Sequence, residues 1–256
     1  MKKLFGLLLI AELSFYAALA QSTAGITGKP DTSYTNNSAY IGTKKSHPDA
    51  VLVNEFSFSS VGEKRNIEYC KVGDRKLLLD VFYSKAKTRE KKRAILIIHG
   101  GGWRSGNRTQ HYPLAQQLAN LGYVCFTPEY RLSTEALYPA AVYDVKAAIR
   151  WVYANAKKYS VDTGKIAILG FSAGGELAAF MGSTNGIKSF DGTDCNAKSS
   201  SIVKAVIDID GILSFIHPES GEGDDSKRTS AATYWFGYGK KDNPEIWKQA
   251  SSLTYA

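Results

Sequence analysis

Apolar residues fall into two kinds of run along this 256-residue chain. Ala94-Ile95-Leu96-Ile97-Ile98 and Ile166-Ala167-Ile168-Leu169 are apolar at every position, the pattern of parallel strands covered on both faces. Runs at 66–72, 76–83, 93–98, 123–127, 165–171 and 202–210 predict six strands, the last of them buried like its neighbours. Residues 140–159 instead space their apolar side chains by three and four, which predicts an amphipathic helix. Shorter helical stretches fall at 112–121, 176–181 and 229–236. The first two strands flank Val72-Gly73-Asp74-Arg75 and read as an antiparallel hairpin at one edge. Beyond residue 93 strands and helices alternate, which predicts an α/β fold: a mostly parallel central sheet with helices on both faces.

With 44% hydrophobic residues and no internal repeat or long linker, residues 61–256 read as one domain. Ahead of it, Met1-Lys2-Lys3, an apolar stretch from Leu4 and the small residues of Ala18-Leu19-Ala20 have the form of a secretory signal peptide, residues 1–20. Glu12 shortens the span that an uncleaved anchor would need. Residues 21–60, rich in Ser, Thr and Asn, predict a polar, loosely ordered leader. The expected location is secreted or periplasmic in a bacterium, with no stable membrane partner after cleavage.

Charge changes this picture little. The formal balance is +8, and losing Lys2, Lys3 and Glu12 with the leader brings it to +7. The basic residues are scattered among acids and match no nucleic-acid motif, so no nucleic-acid partner is expected. Three cysteines cannot all pair. Cys70 and Cys125 lie in strand patterns and read as buried thiols, with a Cys70–Cys195 bridge as the alternative in an oxidising compartment. Neither the cysteines nor the Glu219, Glu222, Asp224, Asp225 cluster has metal-ligand spacing, so no metal or cofactor is expected.

The chemistry concentrates at two glycine-rich turns. Residues 170–174, Gly-Phe-Ser-Ala-Gly, sit between a predicted strand and a predicted helix, where small neighbours let a serine occupy a sharp turn with its hydroxyl exposed. Ser172 is therefore the candidate nucleophile. Upstream, the strand at 93–98 runs into His99-Gly100-Gly101-Gly102-Trp103, whose glycines leave backbone N–H groups open to a developing oxyanion. Trp103 beside them is a candidate substrate-pocket residue, and His99 is expected to shape the loop rather than to transfer protons.

These turns, together with Pro128-Glu129-Tyr130-Arg131-Leu132 and with Tyr138-Pro139-Ala140-Ala141 followed by Asp144, make residues 65–182 resemble the α/β-hydrolase superfamily. Within it, the chain is similar to bacterial esterases related to hormone-sensitive lipase and to the feruloyl and acetylxylan esterases. The resemblance implies an α/β-hydrolase fold with Ser172 as nucleophile and the amides of Gly101, Gly102 and Ala173 as the oxyanion hole. It implies a serine carboxylic-ester hydrolase that removes acetyl or feruloyl groups from carbohydrate, so the partner expected is a small ester or an acylated polysaccharide.

The same resemblance implies a triad acid and histidine after later strands than this chain supplies. The expectation is a sequence truncated at its carboxy end, lacking the last strands and helix, with hydrolysis much reduced. Asp210 and His217 follow Ser172 in the required order and are the internal candidates for acid and base. Seven residues apart on one loop, they read better as a strand-end acid and a loop histidine. Two alternatives stand beside the esterase: a serine peptidase of prolyl-oligopeptidase type, disfavoured by the HGGGW turn, and a non-catalytic ligand-binding fragment.

Overall fold

A computed structural model describes residues 20–256, so the predicted signal peptide, apart from Ala20, lies outside the described residues. Six strands form one sheet among them: β1 (Val61–Val72), β2 (Arg75–Ser84), β3 (Lys92–Ile98), β4 (Val124–Pro128), β5 (Val161–Phe171) and β6 (Ala205–Ile209), in the order β1-β2-β4-β3-β5-β6. The hairpin β1–β2 is antiparallel and turns at Gly73, whose φ of 56° suits a glycine. β2 joins β4 antiparallel, and from there to β6 every pairing is parallel.

The unbroken apolar runs bury alternate side chains on opposite faces. Ala94, Leu96 and Ile98 of β3 point into the larger core with α3 (Ala140–Ala154) and α4 (Ala173–Ser183), while Ile95 and Ile97 meet Tyr112, Ala115 and Ala119 of α2 (Tyr112–Asn120) on the other face. Shorter helices α5 (Ala231–Phe236) and α6 (Pro244–Gln249) close the larger core with Trp235, Phe236 and Trp247, each fully buried.

The sequence expectation is corrected in three places. The long helix stops at Ala154, where Asn155 caps it by donating from Nδ2 to the Trp151 carbonyl at 2.9 Å, and the chain turns through Ser160 at φ 54° into β5. β6 is not buried: it is the edge strand of the described sheet, and Val206, Ile207 and Ile209 are 38–41% exposed. Residues 20–60 are not loose either. They include α1 (Asn36–Thr43), capped by Thr35 and Ser38, and they strap the molecule through main-chain bonds from Ser22 to Gly237 and from Thr27 and Gly28 to Thr134.

Cys70 is not the buried thiol the strand pattern suggests: it forms the alternative disulfide with Cys195, across 125 residues of chain, whereas Cys125 is a buried free thiol. Burial alone pushes the Cys125 thiol well above its ordinary pKa.

Candidate active site

β5 delivers Ser172 to the top of the sheet, directly ahead of α4. Its φ of 53° and ψ of −120° lie outside the regions that a residue with a Cβ occupies comfortably, and its side chain is exposed. The turn is held on two sides. The Ser172 N–H donates to the Ile209 carbonyl at 2.8 Å, tying it to the end of β6. A Cβ on Gly174 would stand 2.3 Å from the Ile98 carbonyl oxygen, so the end of β3 presses on the turn where only glycine fits. Ala173 opens α4, and its N–H belongs to the unpaired first turn of a helix, where partial positive charge collects.

The glycine loop lies alongside. Gly101 adopts φ 121° while its carbonyl accepts from Arg104 and Ser105, and a Cβ there would meet the Ser105 carbonyl oxygen at 1.9 Å. A Cβ added to Gly100 would lie 3.5 Å from the Ser172 Cβ, which brings the two turns into contact. His99 anchors the loop from beneath. Its Nδ1–H donates to the Gly100 carbonyl at 2.9 Å, its ring stacks on Tyr130 at 4.4 Å, and the Tyr130 hydroxyl donates back to the His99 carbonyl. Burial lowers the His99 pKa to about 4, so the imidazole is neutral near pH 7.

Trp103 departs from its expected role. It is 2% exposed, stacked face to face on Trp235 at 4.8 Å and tilted against Phe215, so it belongs to the core and not to a substrate pocket. Its indole N–H donates to Glu176 Oε2 at 3.0 Å. Sequence reasoning passes over Glu176; the one signal is a lone acid in the apolar first turn of α4.

The remaining motifs are anchors. Arg108, in the turn after the glycine loop, donates to Asp80 of β2 at 2.6 Å and to Glu129 at 2.8 Å, and Arg75 joins Glu129 to Glu135. Arg131 grips the buried Asp144 carboxylate through its backbone N–H, Nε and Nη2. The Asn107 side chain accepts from Thr109 and caps that same turn. The strap reaches the loop as well: Asp31 forms a parallel bridge with Ser105 and accepts from the Gly106 N–H at 2.9 Å.

Asp210 directly follows Ile209, whose carbonyl accepts from the Ser172 N–H, but its side chain is exposed and makes no hydrogen bond to Ser172. His217 is exposed too, and its Nδ1 accepts from the Glu219 N–H in its own turn. No hydrogen bond joins His217 to Ser172 or Asp210 among the described residues. The site thus presents an exposed serine side chain on a turn that packs against the glycine loop.

The family model BD-FAE matches residues 79–256. Over 108 residues, 42% of this chain, the sequence is 38% identical to esterase LipC of Mycobacterium tuberculosis, a stretch spanning 27% of that protein. The chain therefore covers about a quarter of this curated relative. Among solved structures, a truncated form of a carbohydrate esterase from gut microbiota superposes with a TM-score of 0.69 at 27% identity, covering 79% of this chain and 75% of that one. A bifunctional GH43-CE protein of Bacteroides eggerthii gives 0.66 at 28% identity, covering 76% of this chain and 29% of that one.

Proposed function

The chain belongs to the BD-FAE family and carries the α/β-hydrolase fold, and on that premise we propose that it is a serine carboxylic-ester hydrolase acting on carbohydrate-linked acyl groups. The observation that carries the reading is the contact between the strained, exposed Ser172 and the glycine loop. Ser172 Oγ would attack the ester carbonyl, its proton leaving to a base. The amides of Gly101, Gly102 and Ala173 would hold the oxyanion while the alcohol departs, and water would then release the acid. Acetyl and feruloyl are the acyl groups we assign, on family resemblance alone, while the carbohydrate part of the reading is supported by the name of the carbohydrate esterase neighbour.

Since Asp210 and His217 make no hydrogen bond to Ser172, we expect this chain to turn esters over slowly, at the roughly 10³ to 10⁴-fold over water left when a triad loses a member. Export to the periplasm or beyond is part of the same reading, supported by the leader sequence and by the Cys70–Cys195 bridge. The test is 4-nitrophenyl acetate hydrolysis by protein recovered from the periplasmic or secreted fraction, where the chain is expected to accumulate. Slow release abolished by Ser172→Ala is the expected outcome. Equal rates with and without the serine hydroxyl would remove the esterase reading, and turnover at ordinary enzyme rates would show that a base does reach Ser172.

A further inference from the structure

The glycine loop and the nucleophile turn arrive from different strands, and one buried side-chain bond joins them. We propose that Glu176 is a positioning residue, which holds the Gly101-Gly102 amides in register with Ser172 by accepting the Trp103 indole proton. The inference rests on the reading of those amides as oxyanion donors.

Glu176 lies in the first turn of α4, the helix that begins at Ala173, so it is rigidly fixed relative to the nucleophile turn. Trp103 directly follows the loop glycines and carries a left-handed φ of 54°, a conformation unfavourable for a residue with a side chain unless its surroundings over-determine it. Stacking on Trp235 and the tilted contact with Phe215 hold the indole ring in the core without directional bonds. The bond to Glu176 adds a directional tie to α4, and the Trp103 carbonyl, accepting from the Ser133 N–H at 2.7 Å, secures the main chain behind it.

Stability does not account for the carboxyl. Glu176 is completely buried, has no cation paired with it among the described residues, and its Oε1 has no hydrogen-bond partner there. A leucine would fill the space without that desolvation cost. Burial raises the Glu176 pKa well above the ordinary carboxyl value, with the Asp208 charge adding to it, while Oε2 accepts the indole N–H. What the carboxyl supplies and a leucine would not is a directional bond from the nucleophile's helix to the glycine loop.

The test uses ¹⁵N-labelled full chain, following the Trp103 indole and the Gly101 and Gly102 amide resonances alongside kcat and KM for 4-nitrophenyl acetate. In E176L the two amides are expected to shift and broaden, with kcat falling about 10- to 100-fold and KM changing less than about threefold, the signature of misplaced transition-state donors. E176Q keeps an oxygen that accepts the indole proton and should restore the amide positions and most of kcat. Trp103→Phe keeps the aromatic stack, removes the donor, and decides the matter if E176L does not fold. Paired with E176L it should add little, because both changes delete one bond. Unmoved Gly101 and Gly102 amides in W103F, or an E176Q as impaired as E176L, would overturn the proposal. Amides that respond as stated in a protein without Ser172-dependent turnover would uphold the positioning role and sink the esterase reading instead.

Discussion

Ser172 and Trp103 both hold positive backbone φ angles without being glycine, the first tied to the Ile209 carbonyl and the second to Ser133 and Glu176. The two histidines beneath them add a chemical constraint. His99 is buried against Tyr130, and His111 stacks on Phe171 at 4.4 Å, next to Ser172. Burial holds both pKa values at about 4, against 6.5 in an open chain. Between those values the unfolded chain binds protons that the folded one refuses, so stability falls as pH drops from about 6.5 toward about 4. At pH 4.5 the loss is about 2–3 kcal/mol for each histidine. His111→Phe keeps a ring on Phe171 and removes one titration. Urea unfolding at pH 7.5 and 4.5 should therefore show a smaller acid loss in the variant by about that amount; equal losses would mean that His111 titrates normally in the fold.

At the scale of elements, the fully apolar strands were legible because both faces of β3 and β5 are covered, and the two glycine turns because their geometry admits few residue types. The strap was not. Its hold on the molecule runs through the main chain at Thr27, Gly28, Asp31 and Gly106, and backbone bonds leave no periodic trace in side chains. Trp103 was misread for a related reason: an aromatic next to a loop looks alike whether it lines a cleft or, as here, stacks on a Trp235 that lies 132 positions away in sequence. β6 carries the apolar pattern of a buried strand, yet pattern cannot state what lies against it. The strap's role is open to measurement. Deleting residues 20–35 removes the acceptor for Gly106 N–H, a bond worth about 0.5–1.5 kcal/mol. Amide exchange at Gly106 should quicken up to about tenfold while β3 and β5 stay protected. An unchanged Gly106 would show that the loop is held without the strap.

For the molecule as a whole, the disulfide links an irregular stretch to an edge of the sheet. Cys70 sits in β1, while Cys195 belongs to the segment between α4 and β6, which has only one short 3-10 turn of its own. That segment is also docked by Arg150, which donates to the carbonyls of Asp191, Asp194 and Cys195 from the buried face of α3. The native arrangement therefore has support that does not depend on the bridge. The bridge acts chiefly on the unfolded chain, where closing a loop of 125 residues removes entropy equivalent to at most about 4–5 kcal/mol, with measured values more often about 2–4. Cys195→Ser should accordingly lower the guanidinium midpoint by an amount corresponding to about 2–4 kcal/mol and leave the far-ultraviolet circular dichroism intact, because the Arg150 bonds use main-chain oxygens that serine retains. Dithiothreitol should reproduce the shift in the parent chain and have no effect on the variant. A parent midpoint indifferent to reductant would mean that Cys70 and Cys195 are not joined in solution, and would withdraw the support the bridge lends to an exported protein.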